Sequence, residues 1–171
     1  FDQGEKTMRA KTLSDILKKG DRVAVSNITG REASRVSVES QQYCGNIVAG
    51  WALGKGGQVI ETPRGPIKVF ATFEELLRLT PEEQHPNKIV IYSPPDAVYG
   101  EVKEVLKHGC PTVETIFIIT EHVAVEVTAK IHHLCRNVGV DVLGCNTLGV
   151  VHVHDGVRVG ATVGTPVGIE F

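Results

Sequence analysis

The 171 residues contain no three-glycine dinucleotide fingerprint, no C-x-x-C pair, no apolar run of membrane length and no block of like charge. Each absence removes a class of function. Cys44, Cys110, Cys135 and Cys145 are too scattered for a paired redox or zinc motif, which points to a reducing, cytoplasmic setting. No stretch approaches the roughly 20 apolar residues of a membrane span, and none has the flanks of a signal peptide. With 18 Lys and Arg against 20 Asp and Glu, the formal net charge is −2 and no basic run is present. Nucleic-acid binding through bulk electrostatics is thereby excluded, and an anionic ligand would have to be held locally. Neither an internal repeat nor a low-complexity segment interrupts the chain, so one domain is expected, spanning 12–171. Residues 1–11 are set apart as an N-terminal extension or remnant.

What is present is an alternation of strand-length apolar runs with helical periodicity, the pattern of βαβ units and a mostly parallel sheet. "TLSDILKKG" (12–20) predicts a short helix started by Thr12 or Ser14 and stopped at Gly20; "RVAVSNI" (22–28) predicts a buried strand. Helix 31–45, ending at Gly45, and strand 46–51 follow. The Gly- and Pro-rich stretch 52–66 is expected to be loop. "IKVFA" predicts a strand, and "TFEELLRLT" a helix with Thr72 and Glu75 in capping-box spacing. Beyond it come strand 88–93, a helix entered through Pro94 and Pro95, the strongly apolar strand "TIFIIT", and a helix closed by Gly139. Strand "VDVLG" and a hairpin around Asp155-Gly156 complete an expected count of about five parallel strands and a C-terminal β-ribbon. The fold class is therefore α/β, a three-layer, Rossmann-like arrangement.

In such sheets ligands bind beyond the carboxyl ends of the strands, near the reversal of strand order. The residues just after each strand carry the candidates: Thr29-Gly30-Arg31-Glu32, Gly54-Lys55-Gly56-Gly57, Ser93-Pro94-Pro95, Thr120-Glu121-His122 and Cys145-Asn146-Thr147. The first turn offers helix N-terminal N–H groups suited to a phosphate, and fits an ordinary junction capped by Thr29 equally well. Lys55 on its glycine loop is either a phosphate partner or a solvated side chain. It is not part of a P-loop, because Gly56 follows it where Ser or Thr would have to stand.

Six motifs in order, "NITGRE", "GWALGKGG", "IKVFATFEELL", "VIYSPP", "IITEH" and "GCNTLGVV", resemble those of the CoA-binding domain of the succinyl-CoA synthetase (succinate–CoA ligase) alpha subunit and related acyl-CoA synthetases. The resemblance covers nearly the whole chain after about residue 12. It implies a Rossmann-like domain that holds coenzyme A. Carried over by position, Thr29, Gly30, Arg31 and Glu32 form the loop around the nucleotide and Lys55 its electrostatic partner. Ile119, Thr120 and Glu121 make a further wall, Ser93, Pro94 and Pro95 line the adenine or pantetheine path, and Asn146 lies near the thiol end. Three departures stand out: Arg31 and Ala33 in and after the first turn, His122 in place of the glycine of I-T-E-G, and Cys145 and Thr147 where the family has Pro and Cys.

The family's phosphohistidine loop and ATP-grasp fold are expected on a partner subunit or domain, so no residue here is assigned a catalytic role. Two further readings remain: a stand-alone CoA or acyl-CoA sensing module without catalysis, and an NAD-binding Rossmann domain. His152 and His154, two apart on the ribbon, could supply two metal ligands but are expected to be exposed edge residues, with no third ligand and no metal. His132 and His133 point different ways on a helix, and His108 sits favourably near a helix C-terminus. Cys44 and Cys135 are expected in the core, which leaves Cys145 as the thiol to test for reactivity. Glu121 reads as a wall residue sooner than a general base.

Overall fold

The computed structural model describes residues 11–44 and 46–162. Residues 1–10 of the expected extension, the helix stop at Gly45 and the last residues of the 12–171 domain lie outside them. Helices α1 (Leu13–Ile16), α2 (Arg31–Cys44), α3 (Phe73–Leu79), α4 (Val98–Gly109) and α5 (Val125–Val138) alternate with strands. The strands are β1 (Val23–Ser26), β2 (Ile47–Trp51), β3 (Val59–Ile60), β4 (Ile67–Phe70), β5 (Lys88–Ile91), β6 (Thr115–Ile118), β7 (Asp141–Leu143), β8 (Val150–His152) and β9 (Val157–Val159). Seven form one sheet in the order β3-β4-β2-β1-β5-β6-β7, and β8 and β9 form a separate antiparallel ribbon. Every neighbouring pair in the large sheet is parallel except β3 with β4.

The central strands read as unbroken apolar runs because both of their faces are covered. Ala24, Ala49, Trp51, Ile89, Ile91, Ile116 and Ile118 face Phe73, Leu76, Val98, Val102, Ile131 and Cys135 of α3, α4 and α5. The alternate residues Val23, Val25, Ile47, Val69, Val90 and Phe117 face Leu17, Ile28, Ala33 and the ribbon residues Val157 and Val159. Arg158 of the ribbon is buried and its guanidinium reaches Glu39 of α2 at 3.2 Å, which fastens the ribbon over that helix.

Local signals account for most boundaries. Thr72 accepts from the Glu75 N–H at 3.0 Å, and Gly139 closes α5 in the left-handed region at φ 77°. The structure corrects four expectations. Six strands run parallel, one more than the count of about five. The stretch 52–66 is not all loop, because Val59 and Ile60 pair with Lys68 and Ile67 as an antiparallel edge. Helix α1 ends at Ile16, and the N–H of the next residue, Leu17, bonds to Leu13, because Leu17 turns extended to bury its side chain completely. Helix α4 starts at Val98, after a turn in which the Ala97 N–H bonds to Pro94.

The amino edge of the sheet is closed by a buried charge. Lys88, 1% exposed, contacts Glu114 at 2.9 Å, the Thr115 hydroxyl at 3.1 Å, Asp21 at 4.0 Å and the Asp15 carbonyl at 3.4 Å. A buried ammonium needs such surroundings to offset its desolvation. Among the described residues, no helix is long and apolar enough to cross a membrane.

Ile28, in the turn after β1, packs on Gly50 of β2 so closely that a Cβ added there would lie 2.5 Å from its Cδ1. Gly50→Ala is therefore expected to cost about 1–3 kcal/mol by overpacking. Urea denaturation is expected to show a smaller penalty in an Ile28→Ala background, where most of the obstructing atoms are gone.

Candidate functional site

Strand β1 lies between β2 and β5. The chain moves from β1 to β2 and β4 on one side, then crosses back to β5 and β6 on the other, so strand order reverses between β1 and β5. A crevice opens there at the carboxyl ends. Its lips are tied together: the Ser26 and Ser93 hydroxyls are 3.2 Å apart, Ser26 Oγ accepts the Tyr92 N–H at 3.2 Å, and Asn27 Nδ2 donates to the Tyr92 carbonyl at 3.4 Å.

The first turn bends tightly through Asn27 at φ 49°, with the Gly30 N–H on the Asn27 carbonyl at 2.9 Å. A Cβ at Gly30 would sit 3.1 Å from that carbonyl oxygen, which favours glycine. The first helical bond of α2 runs from the Ser34 N–H to the Gly30 carbonyl. Gly30, and not Thr29, therefore occupies the capping position.

Two cavities share Ser93 and Pro94 on this edge. The first, about 460 Å³, lies over β2, α3 and α4, between Asn27, Trp51, Ala52, Leu53, Phe73, Ala97 and Gly100, with Glu74, Glu101 and Glu104 in its wall. The second, about 380 Å³, brings together Glu32, Ser93, Pro94, Pro95, Ile119, Thr120, Glu121 and Asn146, with Tyr92, His122, Thr147 and Leu148 beside them. Thr29, Gly30, Arg31 and Lys55 line neither cavity. Arg31 and Lys55 are exposed. The Lys55 loop is a tight turn, with the Lys55 N–H on the Ala52 carbonyl at 3.0 Å and the Gly57 N–H on Val69 at 2.9 Å. A further cavity of about 440 Å³ lies at the opposite, amino edge between Lys11, Asp15, Glu114 and Asp141.

Glu101 and Trp51 were not among the residues expected from sequence. Glu101, in the first turn of α4, accepts the Trp51 indole N–H at 2.7 Å on one carboxylate oxygen and the Ser93 hydroxyl on the other. Burial holds its carboxyl above the ordinary value, partly opposed by hydrogen bonding to Trp51 and Ser26. The Thr120 hydroxyl donates to the Ser93 carbonyl at 2.7 Å, so Ser93 joins the two cavities. Burial, then the nearby Glu32, pushes the Tyr92 phenol well up. Neither cavity wall carries Lys or Arg. Neither therefore offers a phosphate a Lys or Arg side chain, and the cations Arg31 and Lys55 stand outside them.

The remaining candidates separate. His122 adopts the left-handed φ of 59° where the resembling motif has glycine, and its side chain lies exposed at the rim of the second cavity, 3.8 Å from Glu121. Cys145 packs half-buried against the core and lines neither cavity. Cys135 is buried, its thiol pushed up to about 12 by burial and the neighbouring Cys110, as suits an inert core residue. Contrary to expectation, His152 is buried: its Nδ1 faces Asp155 at 3.4 Å, and exposed His154 approaches the same carboxylate at 3.2 Å. His108 faces Glu104 at 3.3 Å, and His132 Nε2 donates to the Gly144 carbonyl at 2.6 Å.

Because the Glu101 carboxyl is raised by folding, the stability it contributes is full below the ordinary glutamate value and is lost as pH rises through the raised value. Glu101→Gln stays neutral. In urea denaturation the stability of the variant relative to wild type is expected to increase as pH rises through that window, because Glu104 and His108 are common to both proteins and cancel in the difference.

No family model matches the chain. It is 30% identical over 136 residues to the alpha subunit of the ADP-forming succinate–CoA ligase of Methanothermobacter thermautotrophicus, a stretch covering 80% of this chain and 42% of that protein. The same subunit from Staphylococcus epidermidis is 29% identical over 139 residues, covering 81% and 42%. The chain thus spans less than half the length of the curated relatives it matches. ATP citrate lyase from Methanothrix soehngenii, solved with citrate and coenzyme A, superposes with a TM-score of 0.63 at 17% identity over 79% of this chain and 22% of that one. The dinucleotide-forming acetyl-coenzyme A synthetase 1 of Ca. Korarchaeum cryptofilum, in complex with phosphate and ADP, gives 0.54 at 18% identity over 77% and 27%. At these identities the two structures share the fold. Through its curated relatives, the chain is homologous to the N-terminal part of the succinate–CoA ligase alpha subunit.

Proposed function

We propose that this chain binds coenzyme A along the carboxyl edge of its sheet, as the CoA-binding part of a cytoplasmic, nucleotide-dependent acid–CoA ligase. The phosphohistidine loop and ATP-grasp fold would be supplied by a partner subunit or domain. The observation that carries this reading is the second cavity, which gathers Glu32, Ser93, Pro94, Pro95, Ile119, Thr120, Glu121 and Asn146 at the switch point. The fold shared with an ATP citrate lyase solved with citrate and coenzyme A supports it.

The chemistry of the edge fits the parts of the cofactor. A pantetheine arm is uncharged and needs an apolar trough with a few polar contacts, which Ile119, Pro94 and Pro95 supply with Thr120 and Asn146 beside them. Diphosphate and ribose phosphate need cations and N–H donors, which lie outside the cavities at Arg31, at Lys55 and at the amino end of α2. Coenzyme A would bring the thiol that is acylated; this chain's residues bind and orient it.

Thermal-shift titration tests the reading. Coenzyme A at a hundredfold excess over Kd is expected to stabilise the chain by about 2.7 kcal/mol, whereas NAD leaves it unmoved. A shift with NAD and none with coenzyme A would sink the proposal. Calorimetry is expected to show Lys55→Ala weakening coenzyme A roughly fivefold, in line with a solvent-screened ion contact, and leaving phosphate-free pantetheine unchanged.

A further inference from the structure

We propose that Glu101 is a positioning residue for the ligand site: its carboxylate clamps the Trp51 indole and the Ser93 hydroxyl, and so fixes the shape of the cavity over β2, α3 and α4. The proposal rests on the coenzyme A reading for its effect on binding, but not for the clamp itself.

Three observations carry it. Trp51 ends β2 and Ser93 follows β5, so the two side chains belong to opposite sides of the strand reversal, and one carboxylate holds both. The indole of buried Trp51 stands 5.0 Å from the Phe73 ring at 52°, and its N–H needs an acceptor. Glu101 is the acceptor, at 2.7 Å. A half-buried carboxylate is also a poor choice for stability, since an apolar side chain there would avoid its partial desolvation. Its presence is explained by what it orients. Ser93 and Trp51 both line the cavity, and Ser93 lines its neighbour, so releasing the clamp alters both walls. With Glu74 and Glu104 beside Glu101, the cavity admits an uncharged part of the ligand and turns phosphate away.

Trp51 is the single tryptophan of the chain, so its fluorescence reports the clamp without ligand. In Glu101→Ala the emission is expected to shift to the red and become more open to acrylamide quenching, and the calorimetric Kd for coenzyme A to rise about tenfold at a temperature where the variant is folded. Glu101→Gln, whose amide oxygen still accepts the indole N–H, is expected to recover most of both effects. Unchanged emission in Glu101→Ala, or a lowered melting temperature with Kd within twofold of wild type, overturns the proposal. If Glu101→Ala does not fold, Trp51→Phe, which removes the N–H and keeps a ring, is expected to weaken coenzyme A several-fold, and an unchanged Kd overturns the proposal. Failure of the wild type to bind coenzyme A overturns the functional reading instead, and the indole emission still decides the clamp.

Discussion

The reversal of strand order around β1 is the constraint on which the site depends. Because β2 and β5 flank β1 and their connections leave to opposite sides, the carboxyl ends cannot be covered by a single helix, and the crevice is a consequence of topology. Hydrogen bonds then set its width. Ser26 reaches Ser93 and the Tyr92 N–H, while Asn27 reaches the Tyr92 carbonyl, so the ends of two parallel strands are held by side chains beyond the last rungs of their ladder. At the far edge Lys88 binds together the beginnings of β5, β6 and the segment before β1. The sheet is thus fixed at both ends, and variation is left to the loops.

Charge is sorted along this edge. Carboxylates line the cavities, whereas Arg31, after β1, and Lys55, after β2, are exposed outside them. An elongated ligand with a charged end and an uncharged arm matches that division better than a compact anion does. In the first turn the close approach is made at Gly30, whose added Cβ would press on the Asn27 carbonyl, and Ala33 is a buried core residue.

Much of the fold was legible because the apolar runs are strong and the turn residues are specific. Thr72, Gly139 and Asp155-Gly156 mark local events that need no knowledge of distant contacts, and each falls where its chemistry predicts. Other features were hidden. Strand β3 has only Val59 and Ile60, and pairing with β4 rather than any pattern of its own makes it a strand. Leu17 leaves its helix early to reach the core, a tertiary choice that outweighs helical propensity. In the site, residues following strands were found because topology gathers them. Glu101 escaped because it sits on a helix among ordinary surface glutamates, and what distinguishes it from Glu104 is the indole at the end of β2 and the hydroxyl just after β5. The buried His152 was missed for a related reason: the ribbon lies over α2, and its inward face is a property of packing.

Amide and indole chemical-shift mapping of the ¹⁵N-labelled chain with coenzyme A tests the placement of the ligand most directly. The largest changes are expected at Gly30, Glu32, Thr120, Asn146 and the Trp51 indole, with the amino-edge residues Lys88, Glu114 and Thr115 unmoved. Changes confined to the amino edge around Lys11, Glu114 and Asp141, or no changes at saturating coenzyme A, would contradict a CoA site at the strand reversal.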